Sequence, residues 1–236
     1  MKFSKYQSQN QGYDRNPLSV LINDKITVRD YVEQILGKTD LFNHWIWSGY
    51  DARRVLENIQ LPCVVKGSHG WRMQKIVFSK NDYPDIALLR KWQSKHISWI
   101  WACAQMRPGF LIEKLLPPIH HLYKIFCFNG VPIFIWDQYY DVSSGKVKQV
   151  NASMYDLNWI NQGVRWNKTP CNNTPRPQRL DDMLEYSRKL SQGWKFLRCD
   201  LYCYDDKIRV SEITNYHANG TNGFSGDFDD VLGGYL

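Results

Sequence analysis

Three segments of the chain carry apolar residues at the spacing of an α-helix. The first follows Asn23-Asp24, either of which suits the N-cap, and ends just before Gly37. Its apolar positions are Val28, Tyr31, Val32, Ile35 and Leu36. The second covers residues 86–95, and the third covers residues 180–190 and stops at Gly193. The pattern therefore predicts three amphipathic helices.

Shorter apolar segments predict antiparallel β-strands. The predicted strands are residues 63–66, 75–78, 110–113, 123–128, 131–139, 196–204 and 208–214. Asn129-Gly130 joins two of them, and this dipeptide tolerates the positive φ angles of a type I′ turn. Pro117-Pro118 closes the strand at 110–113. Hairpins with helices set between them predict an α+β fold, in which helices cover antiparallel sheets.

The first residues show no such periodicity. Residues 4–16 are rich in Gln, Asn and Ser and have no regular apolar spacing. We therefore expect residues 1–17 to form a loose N-terminal arm.

Composition and charge narrow the class of protein. The chain has 236 residues, 43% of them hydrophobic and 14% aromatic, which is typical of a globular protein and not of a disordered one. Its net charge of +7 favours a negatively charged partner. The basic residues are spread along the sequence, however, as on an ordinary solvated surface. Ten tryptophans and the positive charge leave single-stranded nucleic-acid binding as a less favoured alternative, and we expect no nucleic-acid partner.

Targeting signals and cysteines add little specific chemistry. No apolar segment follows Met1–Lys5 as in a secretory signal, and the apolar run at 131–136 is too short to cross a bilayer. These features predict a cytoplasmic protein without a transmembrane segment. Six cysteines lack the paired spacing of zinc sites, so most are expected to be reduced core residues.

The last two predicted strands carry charged residues on one face. Arg198 and Asp200 project to the same side, and a three-residue loop at 205–207 would place Asp200 opposite Glu212. A two-residue loop would put these carboxylates on opposite faces. Neighbouring carboxylates repel each other, and a Mg²⁺ ion would relieve that repulsion while Arg198 stabilises phosphoryl charge. An ordinary solvated sheet face explains the same pattern equally well.

Lys66 ends a predicted strand immediately before a glycine-containing loop. An ammonium group and backbone N–H groups at such a position can together hold phosphates. A lysine at a strand end is more often a surface residue, so the pattern alone does not identify a site. His69, His120 and His121 have no partners that suggest a catalytic triad.

Six short pieces, in order along the chain, resemble the TupA-like branch of the ATP-grasp superfamily. The resemblance extends from about Leu18 to the C-terminus. The pieces are Asp24-Lys25, the segments 64–70, 111–114 and 123–130, Arg198-Cys199-Asp200-Leu201-Tyr202, and Glu212-Ile213-Thr214.

The resemblance implies an ATP-grasp fold over residues 18–236. It implies a smaller nucleotide-lid subdomain at about 60–110, a C-terminal subdomain for metal and substrate at about 111–236, and an ATP cleft between them. The residues implied to bind the nucleotide are Lys25, Lys66, Gly67, Ser68, His69, Gly70, Glu113, Lys114 and Leu115. Asp200 and Glu212 match metal-binding carboxylates, and Thr214 with Asn215 stands where many relatives have a third metal-binding residue. Lys124 and Arg198 match basic residues near the phosphoryl group or acyl substrate.

The resemblance also implies an activity. It is an ATP- and Mg²⁺-dependent ligation, in which a carboxylate becomes an acyl phosphate and an amine then displaces phosphate. The implied acceptor is an anionic, uronic-acid-type saccharide of a bacterial cell-surface polymer, and an amino acid or amine is the donor. Peripheral association with membrane-linked glycan machinery is compatible with this activity.

The sequence departs from the family pattern at four places. Thr214 stands where many relatives have Asn, Leu122 replaces an acidic residue, Trp71 follows Gly70 directly in a shortened loop, and residues 137–140 lack an arginine. A degenerate protein that binds nucleotide or glycan without turnover is therefore the main alternative. We also expect Asp200→Asn and Glu212→Gln to abolish turnover without disturbing the fold.

Overall fold

The computed structural model describes residues 1–95, 97–117, 119–141 and 148–236. Within these ranges the chain forms nine strands and eight α-helices. The strands are β1 (Trp45–Gly49), β2 (Cys63–Gly67), β3 (Gln74–Val77), β4 (Phe110–Lys114), β5 (His121–Phe128), β6 (Val131–Asp141), β7 (Lys148–Tyr155), β8 (Phe196–Tyr204) and β9 (Lys207–Thr214). The helices are α1 (Phe3–Tyr13), α2 (Pro17–Asn23), α3 (Val28–Leu36), α4 (Ala52–Glu57), α5 (Ile86–Gln93), α6 (Trp101–Gln105), α7 (Leu180–Leu190) and α8 (Phe228–Gly233). The predicted α+β class is confirmed. Pro118, predicted to help close β4, lies outside the described residues.

The chain divides into two compact units. The four-stranded unit comprises residues 12–34 and 38–117, and its sheet has the strand order β1-β4-β2-β3. The five-stranded unit comprises residues 1–11, 35–37 and 118–236 as far as they are described, with the strand order β7-β6-β5-β8-β9. Strand β4 pairs with β1 and β2, so the four-stranded unit extends to Pro117 and not to the predicted boundary near 110.

The core of the four-stranded unit follows from alternation along its strands. Cys63 and Val65 of β2 are fully buried, and α5 closes over them with Leu89 and Trp92. Helix α5 begins where Asp85 Oδ1 accepts a hydrogen bond from Leu88 N at 2.6 Å, which satisfies one of the first free N–H groups. The predicted helix and the predicted β2–β3 hairpin are both confirmed.

The five-stranded sheet has an aromatic face and a helix-covered face. Alternate residues of β5 and β6 contribute Phe126, Phe134 and Trp136 to an aromatic core that also contains Ala152 and Met154 of β7. Cys127 points to the other face, where its Sγ lies 3.7 Å from Ser187 O on α7. This alternation assigns each polar residue of the sheet to one of two different environments.

The predicted loose arm is wrong. Residues 3–13 form α1, and Phe3 is only 1% exposed because it packs against Phe126, Phe128 and Phe196. The polar stretch conceals this role because α1 buries only one large apolar side chain together with Gln7 and Gln11.

The C-terminal hairpin has the shorter of the two loops considered from the sequence. Its turn has two residues, Asp205 and Asp206, at φ 51° and 53°. A β-bulge at Ser211 adds one residue to β9, so Asp200 still pairs with Glu212. The bulge restores to one face the side chains that a regular two-residue hairpin would separate.

Other elements escaped the sequence pattern. Strands β1 and β7 and helices α2, α4, α6 and α8 were not predicted, and all four helices have seven residues or fewer. Short helices provide too few turns for apolar periodicity to stand out. In the part of the chain that the structure describes, no helix combines the length and hydropathy needed to span a bilayer.

Candidate functional site

Lys124, Asp200 and Glu212 lie in register across the centre of the five-stranded sheet. Lys124 of β5 pairs with Asp200 of β8, which pairs with Glu212 of β9, so the three side chains share the aromatic face. Arg198 lies two residues before Asp200 on that face. The strands therefore bring two cations and two carboxylates together; the C-terminal pattern predicted Arg198, Asp200 and Glu212 on one face, and the structure adds Lys124.

Asp200 is the centre of this ion network. It is fully buried, and both of its oxygens are engaged: Arg198 Nε donates to Oδ1 at 2.6 Å, Arg198 Nη2 donates to Oδ2 at 2.9 Å, and Lys124 Nζ also donates to Oδ2. Burial acts to raise the pKa of Asp200, but the charges and hydrogen bonds of Arg198 and Lys124 hold it below its ordinary value. Asp200 is consequently a carboxylate.

The pKa of Lys124 is shifted downward, which makes its proton easier to remove. Burial, with repulsion from Arg198, lowers the pKa of Lys124 from its ordinary value despite the attraction of Asp200 and Glu212. Burial also acts to lower the pKa of Arg198, but Asp200 and Glu212 raise it overall. Of the two cations, Lys124 is the one whose proton is held less firmly.

Glu212 is the solvent-exposed residue of the network. Its side chain is 48% exposed, and Arg198 Nη2 lies 3.3 Å from its Oε2. The same Nη2 contacts Asp200, so a single guanidinium nitrogen joins the two carboxylates.

His217 forms a hydrogen bond with Arg198, and this role was not recognised from the sequence. Arg198 Nη1 lies 3.1 Å from His217 Nδ1, which must accept this bond because a guanidinium only donates. Burial, together with the positive charges of Arg198 and Lys124, lowers the pKa of His217 well below its ordinary value. The neutral ring lies among Phe126, Trp166 and Phe224, with centroids 5.1 to 5.5 Å away.

Thr214 and Asn215 follow the network at the end of β9. Both are buried, and Thr214 Oγ1 accepts a hydrogen bond from Tyr216 N at 3.1 Å. This bond fixes the Thr214 hydroxyl against the backbone. Whether either residue binds a metal stays a prediction.

Two carboxylates on adjacent strands suit a magnesium ion. Carboxylate oxygens are ligands that Mg²⁺ prefers, and one or two of them suffice when substrate phosphates supply others. Throughout the described residues, no three His, Cys, Asp or Glu side chains form a metal-binding group. Glu212 is exposed enough to bind such an ion, whereas both oxygens of Asp200 already accept hydrogen bonds from Arg198 and Lys124, so the predicted magnesium site stays a prediction.

The four-stranded unit holds a second ion network around Glu113. Lys66 Nζ donates to Glu113 Oε2, and Arg29 Nη2 donates to Oε1 at 2.6 Å. Lys66 pairs with Leu111 on the neighbouring strand, so Glu113 is its diagonal neighbour on the same face. The Lys66 side chain is 25% exposed and the Glu113 side chain 7%. Lys66 and Glu113 were predicted, whereas Arg29 was not.

The loop at 67–70 does not present all of its backbone N–H groups for phosphate binding. Gly67 N donates to Met73 O and Ser68 N donates to Gly109 O, both at 2.8 Å. His69 is 3% exposed and its Nε2 lies 3.1 Å from Trp92 O. The first two loop N–H groups are therefore used within the protein.

Packing, and not a positive φ angle, explains why the loop contains glycine. A Cβ atom at Gly67 would lie 3.0 Å from Met73 Cβ, and one at Gly70 would lie 2.8 Å from Ile97 Cδ1. Lys25 crosses the same loop, since its N donates to Ser68 O at 3.1 Å and its Nζ donates to Gly70 O. The structure thus places Lys25 beside the loop, and its predicted contact with nucleotide stays a prediction.

Lys114 and Leu115 complete the set of predicted nucleotide-binding residues. Lys114 is the last residue of β4 and Leu115 follows it; Lys114 N donates to His44 O at 3.0 Å and Leu115 N donates to Pro62 O at 3.2 Å. The Lys114 side chain is exposed and Glu113 beside it is buried.

The sequence pattern of the family described as TupA-like ATPgrasp matches residues 4–236, which is nearly the whole chain. The chain belongs to this family. No curated protein sequence matches the chain. The family assignment confirms the resemblance inferred from the six short pieces.

Solved structures of ATP-grasp ligases share the fold of this TupA-like chain. The D-alanine–D-alanine ligase of Helicobacter pylori aligns with a TM-score of 0.54 at 16% identity, over 100% of this chain and 67% of that one. The corresponding ligase of Bacillus anthracis aligns with a TM-score of 0.51 at 15% identity, over 91% and 62%. An L-amino acid ligase from Bacillus licheniformis gives 0.52 at 11% identity, over 87% and 43%.

These similarities establish the ATP-grasp fold of the TupA-like chain. It spans less than two thirds of the Bacillus anthracis and Bacillus licheniformis enzymes. The predicted site residues of this family member fall into two groups, one around Glu113 with the loop at 67–70, and one around Asp200.

Proposed function

We propose that the chain is an ATP- and Mg²⁺-dependent carboxylate–amine ligase. A substrate carboxylate oxygen attacks the γ-phosphorus of ATP, the bond to ADP breaks, and an acyl phosphate forms. The amine nitrogen then attacks the acyl carbon, loses a proton, and expels phosphate to leave an amide. The observation that carries this proposal is the network of two cations and two carboxylates on one sheet face in an ATP-grasp chain.

The residues of the Asp200 network have complementary roles in this proposal. Arg198 stabilises negative charge on the transferred phosphoryl group, and Lys124 interacts with the same group or with the acyl substrate. Asp200 and Glu212 would hold Mg²⁺, with Thr214 and Asn215 beside them, and the ion would neutralise phosphate charge. Phosphoryl transfer depends mainly on positioning and charge, so this chemistry needs no strong base among these residues.

Lys66 and Lys25 are the proposed phosphate contacts of the four-stranded unit. Lys66 is partly exposed and carries its charge at the end of β2, immediately before the loop at 67–70. Glu113, Lys114 and Leu115 are proposed to lie against adenine and ribose. Gly67 and Ser68 would support the loop through packing, since their N–H groups already have partners.

We infer that the acceptor is an anionic saccharide of the uronic-acid type and that the donor is an amino acid or amine. The resemblance to TupA-like proteins supports this choice, and the net charge of +7 favours an anionic acceptor. A cytoplasmic location follows from the need for ATP.

Glu212→Gln provides the sharpest test, because the side chain is half exposed and Arg198 keeps its ion pair with Asp200 when Glu212 is neutralised. ADP release would be measured with Mg²⁺ across a panel of uronic acids and amines. We expect at least a 100-fold loss of turnover in Glu212→Gln, with unchanged thermal stability. Asp205→Asn, at an exposed turn position on the same hairpin, is the matched control and should behave as the native protein. Equal turnover in the native protein and Glu212→Gln would refute the metal site.

A nucleotide- or glycan-binding protein without turnover is the second candidate. It is favoured by the complete engagement of Asp200 with Arg198 and Lys124 and by the internal hydrogen bonds of the loop at 67–70. A thermal shift with ATP and Mg²⁺, accompanied by no ADP release with any acid and amine of the panel, would support it over the ligase.

A further inference from the structure

A cavity of about 610 Å³ lies on the five-stranded unit, away from the ion network. Its floor includes His121, Tyr139 and Asn151, which are paired in register across β5, β6 and β7. Residues that pair directly across strands project to the same face, so the three side chains form one row. The segment 172–175 provides a wall.

The cavity and the ion network are on opposite faces of the same sheet. Lys124 shares the aromatic face with Phe126, which is two residues further along β5. His121 is an odd number of residues from Lys124 on that strand, and it therefore projects to the other side. The cavity is accordingly separate from the proposed ligase chemistry.

The wall of the cavity is held rigidly by side chains of the sheet. Asn172 N donates to Asn151 Oδ1 at 2.7 Å, and Asn172 O accepts from Asn151 Nδ2 at 2.9 Å and from Ser153 Oγ at 2.8 Å. Thr174 N donates to Tyr155 OH at 2.7 Å. A backbone segment fixed at both of these positions presents its side chains with little loss of entropy on binding.

His121 is held in one orientation at the edge of the cavity. Its Nδ1 lies 2.9 Å from Oδ1 of Asp137, which is fully buried and also accepts a hydrogen bond from Thr174 Oγ1 at 2.6 Å. The imidazole stacks on Tyr123 with an interplanar angle of 7°. Asp137 thereby engages one ring nitrogen and leaves Nε2 as the nitrogen that can face a ligand.

The described side chains that line the cavity favour an uncharged ligand over a charged one. Amide, hydroxyl and imidazole groups provide hydrogen bonds, and the ring of Tyr139 with Val150 and Pro175 provides apolar surface. Among the described residues, the lining of the cavity contains no Lys, Arg, Asp or Glu, so these residues offer no charged partner to a phosphate, a carboxylate or a strongly basic amine. The lining suits an uncharged ligand with many hydroxyl groups and one apolar face.

We propose that this cavity binds a neutral saccharide. The exposed side-chain amides of Asn172 and Asn173 recognise sugar hydroxyl groups, and the aromatic ring of Tyr139 contacts the C–H face of the sugar ring. The volume lies within the range of about 300 to 1,000 Å³ that is usual for small-molecule sites, and it accommodates a mono- or disaccharide. This site does not depend on ATP, on Mg²⁺ or on ligase activity.

Ligand-observed NMR and calorimetry would test the proposal with glucose, galactose, N-acetylglucosamine and maltose as probes. Glucuronate serves as the charged counterpart of glucose. We expect saturable binding of at least one neutral sugar, and at least tenfold weaker binding of glucuronate than of glucose. Tyr139→Ala and Asn173→Ala should each weaken binding of that neutral sugar at least tenfold.

Controls separate this site from the proposed ligase. Tyr204→Ala, at an exposed position on β8 outside the cavity, should bind the sugar as the native protein does. Glu212→Gln should also bind the sugar normally, even where it abolishes turnover. Asn173 is exposed, so its variant is expected to fold if Tyr139→Ala does not. The proposal would be overturned by the absence of saturable binding for all four probes, by native-like binding in Asn173→Ala, or by tighter binding of glucuronate than of glucose.

Discussion

Individual charged residues in this protein form ion pairs with residues that are distant in sequence. Asp200 binds Lys124 across 76 positions, and Glu113 binds Lys66 across 47. Such pairs combine Coulomb attraction with hydrogen bonds, but each buried charge also loses hydration. Removal of one partner is therefore costly, because the other charge stays buried.

Asp200→Asn should destabilise the protein, contrary to the expectation from the sequence. The sequence suggested that packing came only from the other face of the hairpin, whereas Asp200 is fully buried on the aromatic face between two cations. We expect a loss of about 3–5 kcal/mol in the free energy of unfolding, measured with chemical denaturant. Glu212→Gln should lose less than about 1 kcal/mol. Equal stability of the two variants would contradict the burial argument.

His69 should make stability depend on pH. Burial lowers the pKa of His69 below its ordinary value, so the folded protein keeps the ring neutral while the unfolded chain takes up a proton. Its contribution is fully present above the unfolded pKa of about 6.5 and is lost as pH falls below that value.

The corresponding measurement compares the native protein with His69→Gln in denaturant titrations from pH 7.5 to pH 5. Gln can still donate a hydrogen bond to Trp92 O. The free energy of unfolding should fall more steeply in the native protein, by roughly 1 kcal/mol per pH unit for one proton. Parallel pH profiles would show that His69 does not titrate on unfolding.

At the scale of elements, two short features determine the geometry of the five-stranded unit. The Asn129-Gly130 turn sets the β5–β6 register with φ angles of 49° and 80°. The Ser211 bulge sets the β8–β9 register at Asp200. The first could be predicted because the dipeptide has a strong conformational preference, whereas the second has no comparable sequence signature.

Gly130→Ala should destabilise the hairpin by about 1–2 kcal/mol, because alanine strains a left-handed backbone. The matched control is Gly12→Ala within α1, where φ is not positive and the nearest atom to a new Cβ is 3.8 Å away. That change should stabilise the protein by up to about 1 kcal/mol. Thermal unfolding of both variants provides the measurement, and the same sign for both would refute the argument.

Helix α1 should be an integral part of the fold. Phe3→Ala removes a ring that is 1% exposed within the aromatic core, with an expected loss of about 3–5 kcal/mol in the free energy of unfolding. Tyr13→Ala, on the same helix but 79% exposed, should change it by less than about 0.5 kcal/mol. A small effect of Phe3→Ala would restore the loose-arm interpretation.

For the whole molecule, cysteine reactivity provides a test of the assigned cores. The six cysteines all lie in the described residues and form no disulfide; Cys63, Cys127 and Cys199 are buried, while Cys103, Cys171 and Cys203 are partly exposed. Burial raises the pKa of Cys63 and Cys203, which slows their reaction with thiol reagents. We expect at most three thiols to react rapidly with a chromogenic disulfide in the native protein and all six after denaturation. Rapid reaction of more than three would show that one of the cores is open.

The sequence by itself determined the family, the α+β class, the three longer helices and the main hairpins. These features depend on local periodicity, turn dipeptides and short ordered motifs, which are written in neighbouring residues. The same local information identified Lys66, Glu113, Lys124, Arg198, Asp200 and Glu212 as residues of interest.

Only the tertiary structure decided which partners these residues have. The burial of Phe3, the contacts of Arg29 and His217, the bulge at Ser211 and the cavity beside His121 all arise from segments that are distant along the chain. Hydrogen bonds and burial depend on distances in space, and a single sequence does not specify them. The charges of the candidate site could therefore be predicted, whereas their pairing and their exposure could not.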